Sequence, residues 1–169
     1  VNEPATESNF MAFSNKPNPY KFKEVDKARR ILMGYFMIAD LKIPRWDAQR
    51  GTYEVIFPKE SVRKIVDNWA KNGINKNLNE NHATNKFAEG VYVRNHWELD
   101  SELGIAPAKG FNTEADGSWF GIVQCDNDEI YNKALAGEYN GFSIECKFIE
   151  EKFGVTIESQ LESFLQSLA

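Results

Sequence analysis

The longest apolar run in the chain, residues 31–39, is interrupted only by Gly34. Its residues are apolar at consecutive positions rather than at alternate ones, which is typical of a β-strand that is buried on both faces. The run is too short to cross a bilayer as a helix, which takes about 20 apolar residues. The sequence therefore predicts a fully buried strand over residues 31–38.

Composition is consistent with one globular domain, because 42% of the 169 residues are apolar and 13% are aromatic. A net charge of −5 argues against DNA or RNA as a partner. The first thirty residues are polar and contain prolines, unlike a secretory signal. Cys125 and Cys146 form neither a disulfide framework nor a zinc site. We expect a soluble protein of a reducing cytosol, without metal, cofactor or membrane, and the initial Val1 indicates a trimmed fragment of a longer product.

Two helices are predicted from apolar residues at helical spacing. The first follows Pro58, ends at Gly73, and has Val62, Ile65, Val66 and Trp69 on one face. The second begins at the acidic run 126–129, ends at Gly137, and has Ile130, Tyr131, Ala134 and Leu135 as its apolar stripe.

Further strands are predicted over residues 52–57, 87–97, 119–125 and 139–149, with an irregular connection at 44–51 and a loop at 100–116. Strict alternation along residues 87–97 groups Phe87, Glu89, Val91, Val93 and Trp97 on one face. The fold class is α+β, or a small barrel. We divide the chain into an extended N-terminal arm (1–28), a central domain (29–153) and an amphipathic C-terminal helix or tail (154–169).

Three polar residues stand out as candidates for acid–base chemistry. His82, in an Asn-rich segment, has an ordinary pKa suited to a general base, although it also fits a surface histidine. Glu89, on an apolar face, must find a partner. That partner could be the His82 imidazole. Alternatively, Glu89 forms a salt bridge to Lys86 or Arg94, or its carboxylate is simply exposed at the strand edge. His96 is interpreted as structural or exposed.

Ser143 lies in mid-strand within the segment Tyr139–Glu145. A serine hydroxyl is a poor nucleophile unless a base lies beside it, and a serine at this position also fits a solvent-facing strand residue. Gly141 permits close backbone approach, and main-chain N–H groups nearby could hold an oxyanion. Cys146 is expected to be a buried apolar residue, and the acidic residues after Cys125 should raise the pKa of that thiol.

The order of these segments resembles that of the prohead (head-maturation) serine proteases of tailed bacteriophages. The matching segments are the apolar strand, an amphipathic helix, a strand ending in Asn-Glu-Asn-His82, a strand with an embedded acid (88–93), and a final block (117–145). The resemblance covers roughly residues 29–150. Its most specific part is an acidic helix followed by Gly-Glu-x-x-Gly-Phe-Ser-Ile, which ends at Ile144.

The resemblance implies a fold similar to the herpesvirus capsid-maturation protease, a β-barrel core surrounded by helices. It also implies a serine endopeptidase with Ser143 as the nucleophile and His82 as the base. Glu89 is the first choice for the third member of the triad and Glu145 the second. The implied substrates are the phage scaffold protein, the major capsid protein and the chain itself, inside the assembling prohead in the host cytoplasm, with self-association expected.

Two other functions fit the same sequence. A catalytically inactive capsid-assembly or scaffold module would have the same fold, with its C-terminal helix used for oligomerisation. A ligand-binding barrel would have its four tryptophans lining a cavity, namely Trp46, Trp69, Trp97 and Trp119.

Overall fold

The computed structural model describes residues 8–14, 20–49, 51–76, 78–80 and 87–146, and for residues 8–14, 45, 47, 79 and 143–146 it describes the backbone alone. The strands in these ranges are β1 (Ser8–Ser14), β2 (Phe22–Asp26), β3 (Ile31–Met37), β4 (Ile43–Asp47), β5 (Gly51–Val55), β6 (Leu78–Glu80), β7 (Val91–Glu98), β8 (Trp119–Cys125) and β9 (Gly141–Cys146). The helices are α1 (Lys59–Asn72) and α2 (Asp128–Leu135), and a short 3-10 helix, Ile74–Lys76, follows α1. The predicted α+β class is confirmed. The predicted helix at 154–169 lies outside the described residues.

The strands form three sheets, and all but one of the strand pairs within them are antiparallel. A four-stranded sheet has the order β2-β3-β8-β7, a three-stranded sheet has the order β6-β1-β9, and β4 pairs with β5 as a hairpin. Only β1 and β6 run parallel. The two larger sheets meet where Lys21 bridges Gly141. No closed barrel is seen among the described strands, so the barrel-like part of the predicted fold is not confirmed.

Strand β3 is buried on both faces, as its apolar run predicts. Leu32 and Phe36 pack into a cluster of buried residues that includes the apolar face of α1. Tyr35 and Ile38 belong to a second cluster on the opposite side of the sheet. Because both faces are covered, consecutive apolar residues are favoured along this strand.

Both predicted helices are present. In α1 the buried residues are the four that the spacing selects, and Gly73 ends the helix in a left-handed conformation with its N–H bonded to the carbonyl of Trp69. In α2 the side chain of Asn127 caps the first turn by accepting from the Ile130 N–H at 3.0 Å. The predicted stripe of α2 is wrong at Leu135, which is 42% exposed.

A β-bulge in β7 overturns the alternation predicted for residues 87–97. The register against β8 shifts between Val93 and Asn95. The extra residue turns His96 to the face that Val91 and Val93 occupy, and it turns Trp97 to the opposite face. Trp97 consequently packs on Phe120, with ring centroids 5.1 Å apart.

The irregular connection predicted at residues 44–51 is also wrong, because residues 43–47 pair with residues 51–55. A two-stranded sheet consists of edge strands alone, where Pro44 is tolerated although it cannot donate a hydrogen bond. Within the predicted arm, residues 1–28, the structure has β1 and β2. The strand β1 is the middle strand of its sheet, and Tyr20 between the two is buried in the second cluster.

Candidate active site

The three-stranded sheet brings the segments around His82 and Ser143 to either side of one strand. Ala12 of β1 is the register partner of Ser143 on β9 and also of Asn79 on β6. Neighbouring strands lie about 4.8 Å apart, so the backbones at Asn79 and Ser143 are separated by about 10 Å. The strand β6 ends at Glu80, two residues before His82. The two segments predicted to carry the base and the nucleophile are thus both neighbours of β1.

The structure describes the predicted triad residues to different extents. His82 lies outside the described residues, as do the side chains of Ser143 and Glu145. The backbone of Glu145 pairs with Phe10 of β1, two register positions from the Ser143 pair. Contact between Ser143 and His82 therefore stays a prediction.

Gly141 lies two residues before Ser143, at a point where the backbone of β9 packs too closely on another stretch of main chain to leave room for a side chain. The Phe142 N–H donates to the Tyr20 carbonyl at 3.2 Å, which draws the two backbones together. A β-carbon at Gly141 would stand 2.0 Å from that carbonyl oxygen and 3.3 Å from the α-carbon of Lys21. The close backbone approach predicted at Gly141 is confirmed. It fixes the path of the chain as it enters the strand that carries Ser143.

Glu89 does not occupy the apolar strand face that the alternation predicts. The strand β7 begins at Val91, and Glu89 lies before it, exposed, beside Gly90 in a turn with φ +73°. The main-chain carbonyl of Glu89 accepts from the side-chain amide of Asn127 at 3.2 Å. The prediction that Glu89 lies on an apolar strand face is therefore wrong, and the alternative that its carboxylate is exposed is confirmed. The role of Glu89 as a partner of His82 stays a prediction.

A polar cluster that the sequence analysis missed lies at the end of β6. Lys133 Nζ of α2 is 3.0 Å from Glu80 Oε2. The hydroxyl of Tyr139 donates to the same oxygen. Glu129, one turn earlier in α2, holds Lys133 Nζ at 2.8 Å. We call Glu80, Lys133 and Tyr139 the β6 clamp. No local pattern could reveal it, because Lys133 and Tyr139 are 53 and 59 residues from Glu80.

The surroundings of the β6 clamp keep both of its donors protonated. Burial, together with the hydrogen bond to Glu80, raises the pKa of Tyr139 to about 12. The carboxylates of Glu129 and Glu80 raise the pKa of Lys133. Both groups therefore remain hydrogen-bond donors throughout the pH range in which a histidine titrates.

His96 is the one histidine whose side chain the structure describes, and it lies beside Trp119. The indole N–H of Trp119 donates to His96 Nδ1 at 3.1 Å. Burial lowers the pKa of His96. The interpretation of His96 as a structural histidine is consistent with this contact, because the neutral ring satisfies the N–H of a fully buried tryptophan.

Neither the cysteine nor the tryptophans of the described part form a site. Burial raises the pKa of Cys125 to about 11, a larger effect than that of the neighbouring acids. Trp69 and Trp119 pack edge-to-face within the first cluster, Trp97 packs on the other side of the sheet, and Trp46 is 70% exposed. The tryptophan-lined cavity is therefore wrong. The described residues contain no group of three or more His, Cys, Asp or Glu side chains placed to hold a metal ion.

The comparisons with known proteins give no relative. No family model matches the chain, and no curated protein or solved structure is significantly similar to it. In the part of the chain that the structure describes, no helix combines the length and apolar character needed to span a membrane.

Proposed function

We propose that the chain is a serine endopeptidase of the prohead-maturation type, which processes a scaffold protein, a major capsid protein and itself. His82 takes the proton from Ser143, and the Ser143 hydroxyl attacks the scissile carbonyl. Main-chain N–H groups near Gly141 stabilise the oxyanion. The observation that carries the proposal is that Asn79 and Ser143 both pair with Ala12 of β1. This pairing supports a short distance between the end of β6, which precedes His82, and the middle of β9, which holds Ser143.

A barrel-like, assemblin-like fold belongs to the same proposal. Its support is that the two larger sheets approach each other at both edges, where β7 begins close to β6 and β2 begins close to β9. The Ala88 N–H, just before β7, donates to the carbonyl of Leu78 in β6 at 2.6 Å. At the opposite edges, Lys21 bridges Gly141 beside the start of β2. The proposed fold has the two sheets curving around the first apolar cluster.

The proposal is tested by labelling the chain with a fluorophosphonate and locating the adduct by mass spectrometry. We expect one adduct on Ser143, and none in Ser143→Ala or in the wild-type chain after unfolding. Loss of a nucleophile or base lowers turnover by about 10⁴–10⁶-fold, so His82→Gln should label at background rate. Ser61→Ala, at a serine in the first turn of α1, is the matched control and should label normally. Absence of a wild-type adduct favours an inactive capsid-assembly module instead.

The third member of the triad is assigned by two amide substitutions. Glu89 and Glu145 now stand as equal choices, because the exposure of Glu89 removes the reason for preferring it. Replacing the carboxylate that orients the imidazole by an amide lowers the rate by about 10⁴-fold in a serine protease. Glu89→Gln and Glu145→Gln are compared for the rate of adduct formation, and the variant with the large loss identifies the residue.

A further inference from the structure

The segment that precedes Ser143 is attached to the segment that precedes His82 by two donors on one oxygen. Tyr139 lies two residues before β9, and Lys133 lies in the last turn of α2. Both donate to Oε2 of Glu80, the last residue of β6. The two bonds join β6 directly to the segment that runs from α2 to β9.

The cluster is built to hold a fixed geometry. Tyr139 is 5% exposed, and the side chains of Glu80 and Lys133 are 34% and 30% exposed. Charge-assisted hydrogen bonds are the stronger ones, and partial exclusion of water strengthens them further. Glu129 restricts Lys133 from the other side at 2.8 Å. A carboxylate held by both a tyrosine and a doubly paired lysine has little freedom to move.

We propose that Glu80, Lys133 and Tyr139 are positioning residues, which set the distance between the base segment and the nucleophile segment of the proposed serine protease. This inference rests on the proposed function. The β6 clamp does not touch the reacting atoms. It acts by fixing the end of β6, from which the chain reaches His82 after two residues, against the start of β9, from which it reaches Ser143 after two.

The clamp should matter most for the rate of attack by Ser143. A displacement of about 1 Å between reacting groups costs up to about 100-fold in rate. We therefore expect Tyr139→Phe and Glu80→Gln to lower the rate of fluorophosphonate labelling by roughly 10- to 100-fold. Glu80→Ala, which removes the acceptor as well as the charge, should lose more than Glu80→Gln, which retains an oxygen to accept from Tyr139.

Matched controls separate positioning from a general effect on the fold. The hydroxyl of Tyr131 in α2 also donates to a glutamate, at 2.5 Å, but this is Glu24 of β2 and not Glu80 of the clamp. Tyr131→Phe makes the same chemical change there and should label within twofold of the wild type. Glu129→Gln weakens the outer contact of Lys133 and leaves both bonds to Glu80 in place, so it should lower the labelling rate less than Tyr139→Phe or Glu80→Gln does.

The rate is measured from pH 5.5 to 9, with thermal unfolding of each variant recorded alongside. A positioning role predicts a lower rate at every pH at a temperature where the variant is fully folded, and non-additive losses in Glu80→Gln/Tyr139→Phe. Wild-type rates in folded Tyr139→Phe and Glu80→Gln would overturn the inference, as would equal losses in Tyr131→Phe. If one variant does not fold, the other decides. Absence of a Ser143 adduct in the wild type would instead refute the proposed function.

Discussion

The carbonyl oxygen of Tyr20 lies directly against the α-carbon of Gly141, so that a β-carbon there would approach it within 2.0 Å. The contact is between two stretches of main chain, at the point where the two larger sheets meet. A flexible side chain could move aside, whereas backbone that is hydrogen-bonded in a sheet cannot do so cheaply. The residue before Phe142 must therefore be glycine for β9 to keep its path.

Gly141→Ala should consequently destabilise the protein by about 3 kcal/mol or more, because the sheet junction must open to admit the methyl group. Gly137→Ala is the control. Gly137 has φ +76° but no atom near its missing β-carbon, so alanine there should cost only the backbone strain of about 1–2 kcal/mol. Chemical denaturation measures both. Equal losses in the two variants would contradict the close approach at Gly141.

The bond from Trp119 to His96 predicts a pH dependence of stability. The ring must be neutral to accept the indole N–H, and burial lowers the pKa of His96 below its ordinary 6.5. As the pH falls below 6.5, His96 binds a proton in the unfolded chain before it does so in the folded chain. The contribution of His96 to stability is therefore complete above pH 6.5 and is lost as the pH falls towards the folded-state pKa, at no more than about 1.4 kcal/mol per pH unit.

The measurement is the free energy of unfolding between pH 5 and 7.5. His96→Gln should be less stable than the wild type at pH 7.5, and the gap should narrow on acidification. His82→Gln is the control, because these are the two histidines of the chain. A constant gap for His96→Gln over this range would show that the imidazole of His96 titrates normally.

Glu98 should give the opposite pH dependence. Burial raises its pKa, and the guanidinium of Arg63, at 3.6 Å, opposes that effect. The folded chain therefore holds this proton more tightly, and stability falls as pH rises from 4.5 through the folded-state pKa. Glu98→Gln should be more stable than the wild type at pH 7, and this gain should disappear as the pH is lowered to 4. Lower stability of Glu98→Gln at pH 7 would indicate that the ion pair outweighs burial.

The elements that the sequence predicts correctly are those whose environment is uniform along their length. The strands at residues 31–37 and 119–125 are enclosed, and α1 packs one face on one cluster, so a simple period describes each of them. The strand β7 changes face at its bulge, and no period shows where an extra residue is inserted. The bulge is the reason why the predicted face is wrong for Trp97, whereas it is wrong for Glu89 because β7 begins only at Val91.

The other features that the sequence does not predict depend on pairing between segments that are far apart in the chain. The pairing of β1 with β6 joins residues 11–13 to residues 78–80, and the β6 clamp joins β6 to α2 and the start of β9. Such contacts depend on how separate segments assemble, whereas periodicity reports only the environment of one segment. The candidate site depends on such pairing as well, because its predicted base and nucleophile, His82 and Ser143, are 61 residues apart in the sequence.

The thiol of Cys125 provides a final test, which also separates serine from cysteine chemistry. Its side chain is fully buried, and burial raises its pKa from an ordinary 9.0 to about 11. At pH 8 a thiol with a pKa of about 11 holds about 100-fold less thiolate than one with a pKa of 9.0, and only the thiolate reacts readily. In Cys146→Ser, where Cys125 is the single thiol, iodoacetamide should react at least 100-fold more slowly with the native chain than with the unfolded chain. Fluorophosphonate labelling of Ser143 should be unchanged by that treatment, and rapid alkylation of native Cys125 would contradict its burial.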